Sequence, residues 1–359
     1  MKIGILTGGG DAPGLNGVIR AVVRSATLKY GWTVIGIFDG FEGLLGKTNT
    51  KQLKPWNTRG ILSRGGTVLG TTNRGNPFAV KVREKGRLAE KDLSDTAIRN
   101  IRKLGLDALV VIGGDGSLAI ANRLFKKGVP VIGVPKTIDN DLSETHVTFG
   151  FTTAVETATD ALDKLHTTAE SHHRVMVVEV MGRYAGWIAL EAGLAGSADV
   201  ILIPEIPYDM SRVCHKIVER NKERCCSSIV VVAEGARPLD GKMAVVERDP
   251  SGYAIRFSGA AAAVGDGIRQ QTGMDVRVTV LGHVQRGGSP CAADRILATQ
   301  YGVKAVELVA RMRFGHMVSY RPPEITSVPI EKAIRKLKLV DPDSDMVRSA
   351  ESIDVSFGR

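Results

Sequence analysis

Ile3-Gly4-Ile5-Leu6-Thr7-Gly8-Gly9-Gly10-Asp11-Ala12-Pro13-Gly14 is the stretch on which the fold turns. Ile3–Leu6 is short, apolar and uncharged, as a buried strand should be. The glycines that follow make a tight turn. From Leu15 to Tyr30 the apolar residues Val18, Val22, Val23 and Ala26 recur at helical spacing. Strand, glycine turn and helix therefore succeed one another within thirty residues. The unit recurs: Thr33–Phe38 reads as a strand, and Ala108–Ile112 leads through Gly113-Gly114-Asp115-Gly116-Ser117 into a helix ending near Lys127. Val129–Val134 is a further strand, ending at Pro135.

The same rhythm returns later. Arg174–Val180, Val200–Ile203, Ile229–Ala233 and Val276–Leu281 read as strands. Ala185–Leu194, Arg212–Arg224 and Ala292–Met312 read as helices. Strands alternating with helices predict an α/β fold of parallel sheets covered on both faces. Ligands of such sheets lie beyond the carboxyl ends of the strands, where the glycine turns fall. Pro238–Tyr253 carries turn signals and reads as an inserted hairpin.

With 359 residues the chain is long enough for roughly two domains. Apolar residues at 43% and charged residues at 24% exclude wholesale disorder. The longest run without Asp, Glu, Lys or Arg, Thr145–Val155, is too short for a spanning helix, so no membrane partner is expected. Met1–Thr7 lacks the features of a signal peptide. Cys214, Cys225, Cys226 and Cys291 show no Cys-x-x-Cys spacing and read as reduced thiols of a cytoplasmic protein. The net charge of +10, 48 basic against 38 acidic residues, favours anionic partners. Aromatics at 5% argue against a nucleic-acid stacking platform, and no nucleic acid is expected. The basic runs Lys81–Lys91 and Lys332–Lys338 read as solvated faces, the second with helical spacing. His172 and His173 are adjacent, so their side chains diverge; they read as loop residues.

Three turns carry chemistry. Gly8–Gly10 would let backbone N–H groups approach a phosphate at a helix N-terminus, and would equally serve as a plain strand-to-helix turn. Gly113–Ser117 adds Asp115, which beside phosphates makes sense as a Mg²⁺ partner, or else caps the following helix. Pro135-Lys136-Thr137-Ile138-Asp139-Asn140-Asp141 sets two carboxylates beside a lysine and a threonine. One carboxylate could take a hydroxyl proton while Lys136 and Thr137 hold a transferring phosphate; a surface turn would use the same residues.

Gly9–Gly14, Gly113–Ser117, Thr137–Asp141, Met181-Gly182-Arg183 and Leu281-Gly282-His283-Val284-Gln285-Arg286-Gly287-Gly288 together resemble the phosphofructokinase family, in the family's order over about residues 1–325. The resemblance implies two Rossmann-like three-layer lobes. The donor lobe would comprise residues 1–150 plus about 284–335, and the sugar-phosphate lobe 151–283 plus about 336–359. It implies transfer from MgATP to the 1-hydroxyl of fructose 6-phosphate, giving fructose 1,6-bisphosphate. In this reading Asp139 accepts the hydroxyl proton, Thr137 orients the γ-phosphate, and Asp115 holds Mg²⁺. Gly10, Arg74 and the backbone of Gly114, Asp115, Gly116 and Ser117 hold the donor. Arg183, after Met181 and Gly182, lies near the transferring phosphate and the sugar. Glu234 binds sugar hydroxyls, and Arg174, Arg277, His283 and Arg286 surround the 6-phosphate. In the family the matches of Arg174 and Arg277 come from a neighbouring subunit, which implies a homo-oligomer, usually a tetramer.

Donor choice divides two positions. Gly116 resembles ATP users, because a carboxylate there would repel the nucleotide's α-phosphate. Lys136 resembles pyrophosphate users, and the pair is similar to a mixed-substrate subgroup. Removing a clash should outweigh adding one partly solvated charge, which favours ATP, with a pyrophosphate-dependent phosphotransferase as the alternative. A nicotinamide-nucleotide or lipid kinase would explain Gly113–Gly116 but not Thr137–Asp141 or Leu281–Gly288. A non-catalytic phosphate binder would not need both carboxylates of Asp139–Asp141. Arg20 and Arg24 match basic effector-site residues of regulated relatives, whereas His166 and Cys225-Cys226-Ser227 replace others, so weak or absent allosteric response is expected.

Overall fold

The computed structural model describes the chain except residues 47, 74, 85–86, 223–226, 242–244, 249–254 and 258. The chain begins β1 (Lys2–Thr7), α1 (Leu15–Tyr30), β2 (Thr33–Ile37) and β3 (Thr50–Leu53). It continues through β4 (Val80–Glu84), β5 (Arg87–Lys91), α2 (Ser94–Lys103), β6 (Ala108–Gly113), α3 (Asp115–Lys126) and β7 (Val131–Pro135). The long helix α4 (Phe151–His172) leads to β8 (Val175–Val180), α5 (Trp187–Ala195), β9 (Val200–Leu202), α6 (Met210–Lys222) and β10 (Ser228–Ala233). Then come β11 (Val245–Arg248), β12 (Ile255–Phe257), α7 (Ala260–Thr272) and β13 (Val276–Val280). The chain ends with α8 (Ala292–Ala310), β14 (His316–Arg321), β15 (Glu324–Pro329), α9 (Ile330–Ala333) and α10 (Asp345–Ser352).

Two compact units emerge. The first comprises Met1–Ile138, Leu142–Thr152 and Arg286–Leu337. Its seven-stranded sheet has the order β15-β14-β7-β6-β1-β2-β3. The inner strands pair in parallel and the two edges are closed by antiparallel partners. Side-chain alternation sorts the core into two faces. Ile3, Ile5, Val110 and Ile112 pack with Val18, Val22 and Ala298 of α1 and α8. Leu6, Leu109 and Val111 pack with Ile98 and Ile101 of α2 and Leu118 and Leu124 of α3. Strands apolar on both faces thus produce three layers.

The second unit comprises Asp139–Asp141, Thr153–Gln285 and Lys338–Arg359. Its four strands run β13-β8-β10-β9, all parallel. Val177, Val230 and Val232 pack against Val213 and Ile217 of α6 and Val264 and Ile268 of α7. Among the described residues no helix is long and apolar enough to cross a membrane.

The inserted hairpin is present with shifted strands, the Lys81–Lys91 run keeps its solvated face, and the helical reading of Lys332–Lys338 fails. The inserted hairpin pairs Val245–Arg248 with Ile255–Phe257, so the Asp249-Pro250-Ser251-Gly252 turn signals fall between its strands in sequence rather than near its end; residues 249–254 lie outside the described ones. Lys81–Lys91 is an antiparallel hairpin of β4 and β5, with Lys81 and Lys91 exposed. Lys332–Lys338 is not a helix face: α9 ends at Ala333, and Lys338 is half-buried against the ring of Trp187. Periodicity along one segment cannot foresee a partner 151 residues away.

Candidate active site

In the first unit two glycine turns close on one serine. Gly8 donates its N–H to the Ile112 carbonyl at 2.9 Å, which ties the end of β1 to β6. A Cβ at Gly8 would lie 2.6 Å from Ser117 Oγ, and one at Gly113 only 2.3 Å from Ser117 Cβ. Both glycines are therefore required by the approach of buried Ser117. Gly9 has φ +78°, a left-handed conformation that a Cβ would strain. At Gly116, by contrast, an added Cβ would meet nothing within 4 Å. That glycine answers no packing need of the chain itself, and it lies in the first turn of α3, where backbone N–H groups point outward. Asp115, in the same turn, is exposed.

Lys136 is buried, with only 3% of its surface exposed, and its Nζ bonds the carbonyl of Gly10. A buried ammonium so placed brings positive charge to the glycine loop. Arg286 joins it: Nη1 donates to the Asp11 carbonyl at 3.1 Å and would lie 3.0 Å from a Cβ on Gly10. Thr137 is held by its own carbonyl, which accepts a bond from Thr148 Oγ1 at 2.7 Å. The first unit thus collects Gly10, Gly114–Ser117, Lys136, Thr137 and Arg286. Arg74 lies outside the described residues, as do Cys225 and Cys226.

The second unit presents Asp139, Met181, Gly182, Arg183 and Glu234. Gly182 has φ +139°, and a Cβ at Gly235 would lie 1.9 Å from the Arg183 carbonyl. The segments beyond β8 and β10 are therefore pressed together backbone to backbone. They are tied by Glu234 N–H to the Val180 carbonyl at 2.9 Å and Gly235 N–H to the Gly182 carbonyl at 3.1 Å. Fully buried Gln285 accepts the Met181 N–H through Oε1 at 3.2 Å. The Glu234 carboxyl is pushed up to about 7, first by burial and then by the charge of Asp139, with Arg183 opposing. Asp139, Glu179 and the Arg183 guanidinium thus share one electrostatic neighbourhood with Glu234, which stands between its protonated and ionised forms near neutrality.

The remaining candidates part company. His283 is exposed, beyond the carboxyl end of β13. Arg174 and Arg277 sit at the opposite, amino ends of β8 and β13, both bound to Asp275. Arg174 Nε lies 2.6 Å from Asp275 Oδ2. The six residues of β8 separate Arg174 from Met181, or about 20 Å at strand rise. His172 ends α4 and His173 adopts φ +52°. Among the described residues no group of three or more His, Cys, Asp or Glu could hold a metal ion. An exposed lone carboxylate such as Asp115 could give a divalent cation one ligand, with the rest to come from water or a bound anion.

Sequence reading missed Gln285, Asp275 and Lys338. Gln285 lies inside the Leu281–Gly288 motif and was within reach; the other two owe their roles to partners brought by the fold.

A family model described as phosphofructokinase matches residues 2–309. The chain is 53% identical, over 99% of its length and 98% of the relative's, to the ATP-dependent 6-phosphofructokinase 2 of Clostridium perfringens. It is 52% identical, over the full length of both chains, to the pyrophosphate–fructose 6-phosphate 1-phosphotransferase of Streptomyces coelicolor. Among solved structures, Pichia pastoris phosphofructokinase in the T-state superimposes with a TM-score of 0.78 at 33% identity, covering 99% of this chain and 37% of the larger one.

Proposed function

Since this chain belongs to the phosphofructokinase family, we propose that it transfers the γ-phosphoryl group of ATP to the 1-hydroxyl of fructose 6-phosphate, yielding fructose 1,6-bisphosphate. The observation that carries this reading is the shared neighbourhood of Asp139, Arg183 and Glu234 at the carboxyl end of the second unit's sheet, in a chain so similar to an enzyme named for that reaction.

Residues of the first unit serve the donor. Gly10 and the first turn of α3, Gly114 to Ser117, offer N–H groups and open space to the phosphates. Thr137 orients the γ-phosphate, and Lys136 supplies positive charge. Asp115 holds Mg²⁺, which when bound neutralises charge on the phosphates. Residues of the second unit serve the acceptor. Asp139 takes the proton of the 1-hydroxyl as the oxygen attacks phosphorus, and Arg183 stabilises charge on the transferring group. Met181, Gly182 and Glu234 hold the sugar. His283 and Arg286 face its 6-phosphate, together with Arg174 and Arg277 from a neighbouring copy. The placement of those two arginines at the amino ends of β8 and β13 supports loan to another chain, and so a homo-oligomer, which we take to be a tetramer. Cys214 is a buried free thiol, which suits the cytoplasmic location we assign.

Pyrophosphate as donor is the second reading, favoured by the Lys136 ammonium on the Gly10 carbonyl and by the Streptomyces relative. A coupled assay with purified protein, fructose 6-phosphate and Mg²⁺ separates the two. Turnover with ATP is expected. Turnover with pyrophosphate alone would select the second reading, and none with either donor would remove both.

A further inference from the structure

We propose that Lys338 is a positioning residue for the reaction: its ammonium group holds Asn140 and so aims the adjacent Asp139 at the acceptor hydroxyl. The inference rests on the reading of Asp139 as the base.

Lys338 grips the Asp139–Asp141 segment twice, at consecutive residues. Its Nζ donates to Asn140 Oδ1 at 2.9 Å, and its backbone N–H donates to the Asp141 carbonyl at 2.8 Å. Asn140 is buried and has φ +52°. A non-glycine residue in that left-handed region is held there by its surroundings. The Nζ bond is one such holding contact, one residue from the proposed base.

Lys338 is itself anchored. Its carbonyl accepts the Trp187 Nε1–H at 2.8 Å, and its ammonium lies 5.4 Å from the centre of the same ring. Two residues on, the Val340 N–H donates to Glu205 Oε1 at 2.9 Å, and Glu205 also accepts the Gly186 N–H at 3.0 Å. The segment 338–340 is therefore a strap fixed at the start of α5. The charges acting on the ammonium are Glu191 on α5 and Asp141 on the loop, both favouring the protonated form. Burial outweighs them and brings Lys338 down to about 8. A lysine that served only as a solvated surface group would not sit where its charge is so expensive.

The test uses the full-length enzyme at saturating fructose 6-phosphate and ATP. Lys338→Met should lower kcat by about tenfold or more, the loss expected of a charge-assisted bond. KM for ATP should stay within about twofold, because the donor residues are untouched. In the parent enzyme kcat should fall as pH rises through about 8, when the ammonium loses its proton. Lys338→Arg keeps the charge; it should restore most of kcat and move that alkaline limb upward. Asn140→Ala added to Lys338→Met should cost little more, since the two act through one contact. Parent-like kcat in Lys338→Met, an unmoved limb in Lys338→Arg, or fully additive losses in the double variant would each overturn the proposal. A parent enzyme unable to phosphorylate fructose 6-phosphate would overturn the functional reading, and this one with it.

Discussion

Gly116 and Glu234 show how much one residue decides. Nothing in the chain lies within 4 Å of a Cβ at Gly116, so Gly116→Asp should leave thermal stability unchanged. The added carboxylate would face the nucleotide's α-phosphate, and like-charge juxtaposition costs several kcal/mol. The kcat/KM for ATP should therefore drop by about a hundredfold or more, with pyrophosphate use far less affected; unchanged ATP use would refute the steric argument. Glu234 predicts a pH effect. Its folded value, about 7, lies above the ordinary 4.5. A raised carboxyl contributes stability that is fully present below the unfolded value and lost as pH rises through the folded one. Glu234→Gln removes that loss, so above pH 7 the variant should exceed the parent by up to about 3 kcal/mol. Urea unfolding at pH 5 and pH 8 checks this, and parallel pH profiles would contradict it. Gly116 was legible in the sequence as part of the Gly113–Ser117 turn, and its proposed role in donor choice rests on resemblance. The Glu234 shift was not, because burial and the Asp139 charge arise only on folding.

Among elements, α1 and α8 depend on small residues. A Cβ at Gly302 would lie 2.6 Å from Ala21 Cβ and 2.8 Å from the Val18 carbonyl, and one at Gly17 would lie 3.0 Å from Ala298 Cβ. The helices approach closely enough that a single methyl overpacks them. Gly302→Ala should destabilise by about 1–3 kcal/mol, read as a lower urea midpoint with an unchanged slope; an equal or higher midpoint would mean that the helices can part. Buried strands and the helices with regular apolar spacing were readable along the chain. Helix α4 was not. Its Thr-rich sequence has modest helix propensity, and its buried stripe is mostly alanine: Ala154, Ala158, Leu162 and Ala169. Thr157 and Thr159 return their hydroxyls to the carbonyls of Thr153 and Val155, each at 2.9 Å, which satisfies those two hydroxyls within the helix.

At the scale of the whole molecule, the separation of Arg174 and Arg277 from Met181–Arg183 along β8 makes a prediction about assembly. Asp139→Asn removes the proposed base and should reduce turnover by about 10²–10⁴, while Arg277→Ala should weaken the proposed capture of the 6-phosphate. If copies share sites, mixing the two variants under conditions of subunit exchange should restore activity that neither has alone. Mixtures no more active than their components would confine each site to one chain. The motifs, their order and the α/β layering were determined by local sequence, because glycine turns and buried strands each have a short-range physical signature, whereas the roles proposed for Asp139, Asp115 and Gly116 rest on resemblance. Only the tertiary structure decided that Lys338 reaches Asn140, that Asp275 binds two arginines, and that Glu234 meets the charge of Asp139. Three of those contacts span 95 to 198 positions and only Arg277 lies near Asp275 in the chain, and long-range electrostatics and burial leave no periodic trace in the sequence that creates them.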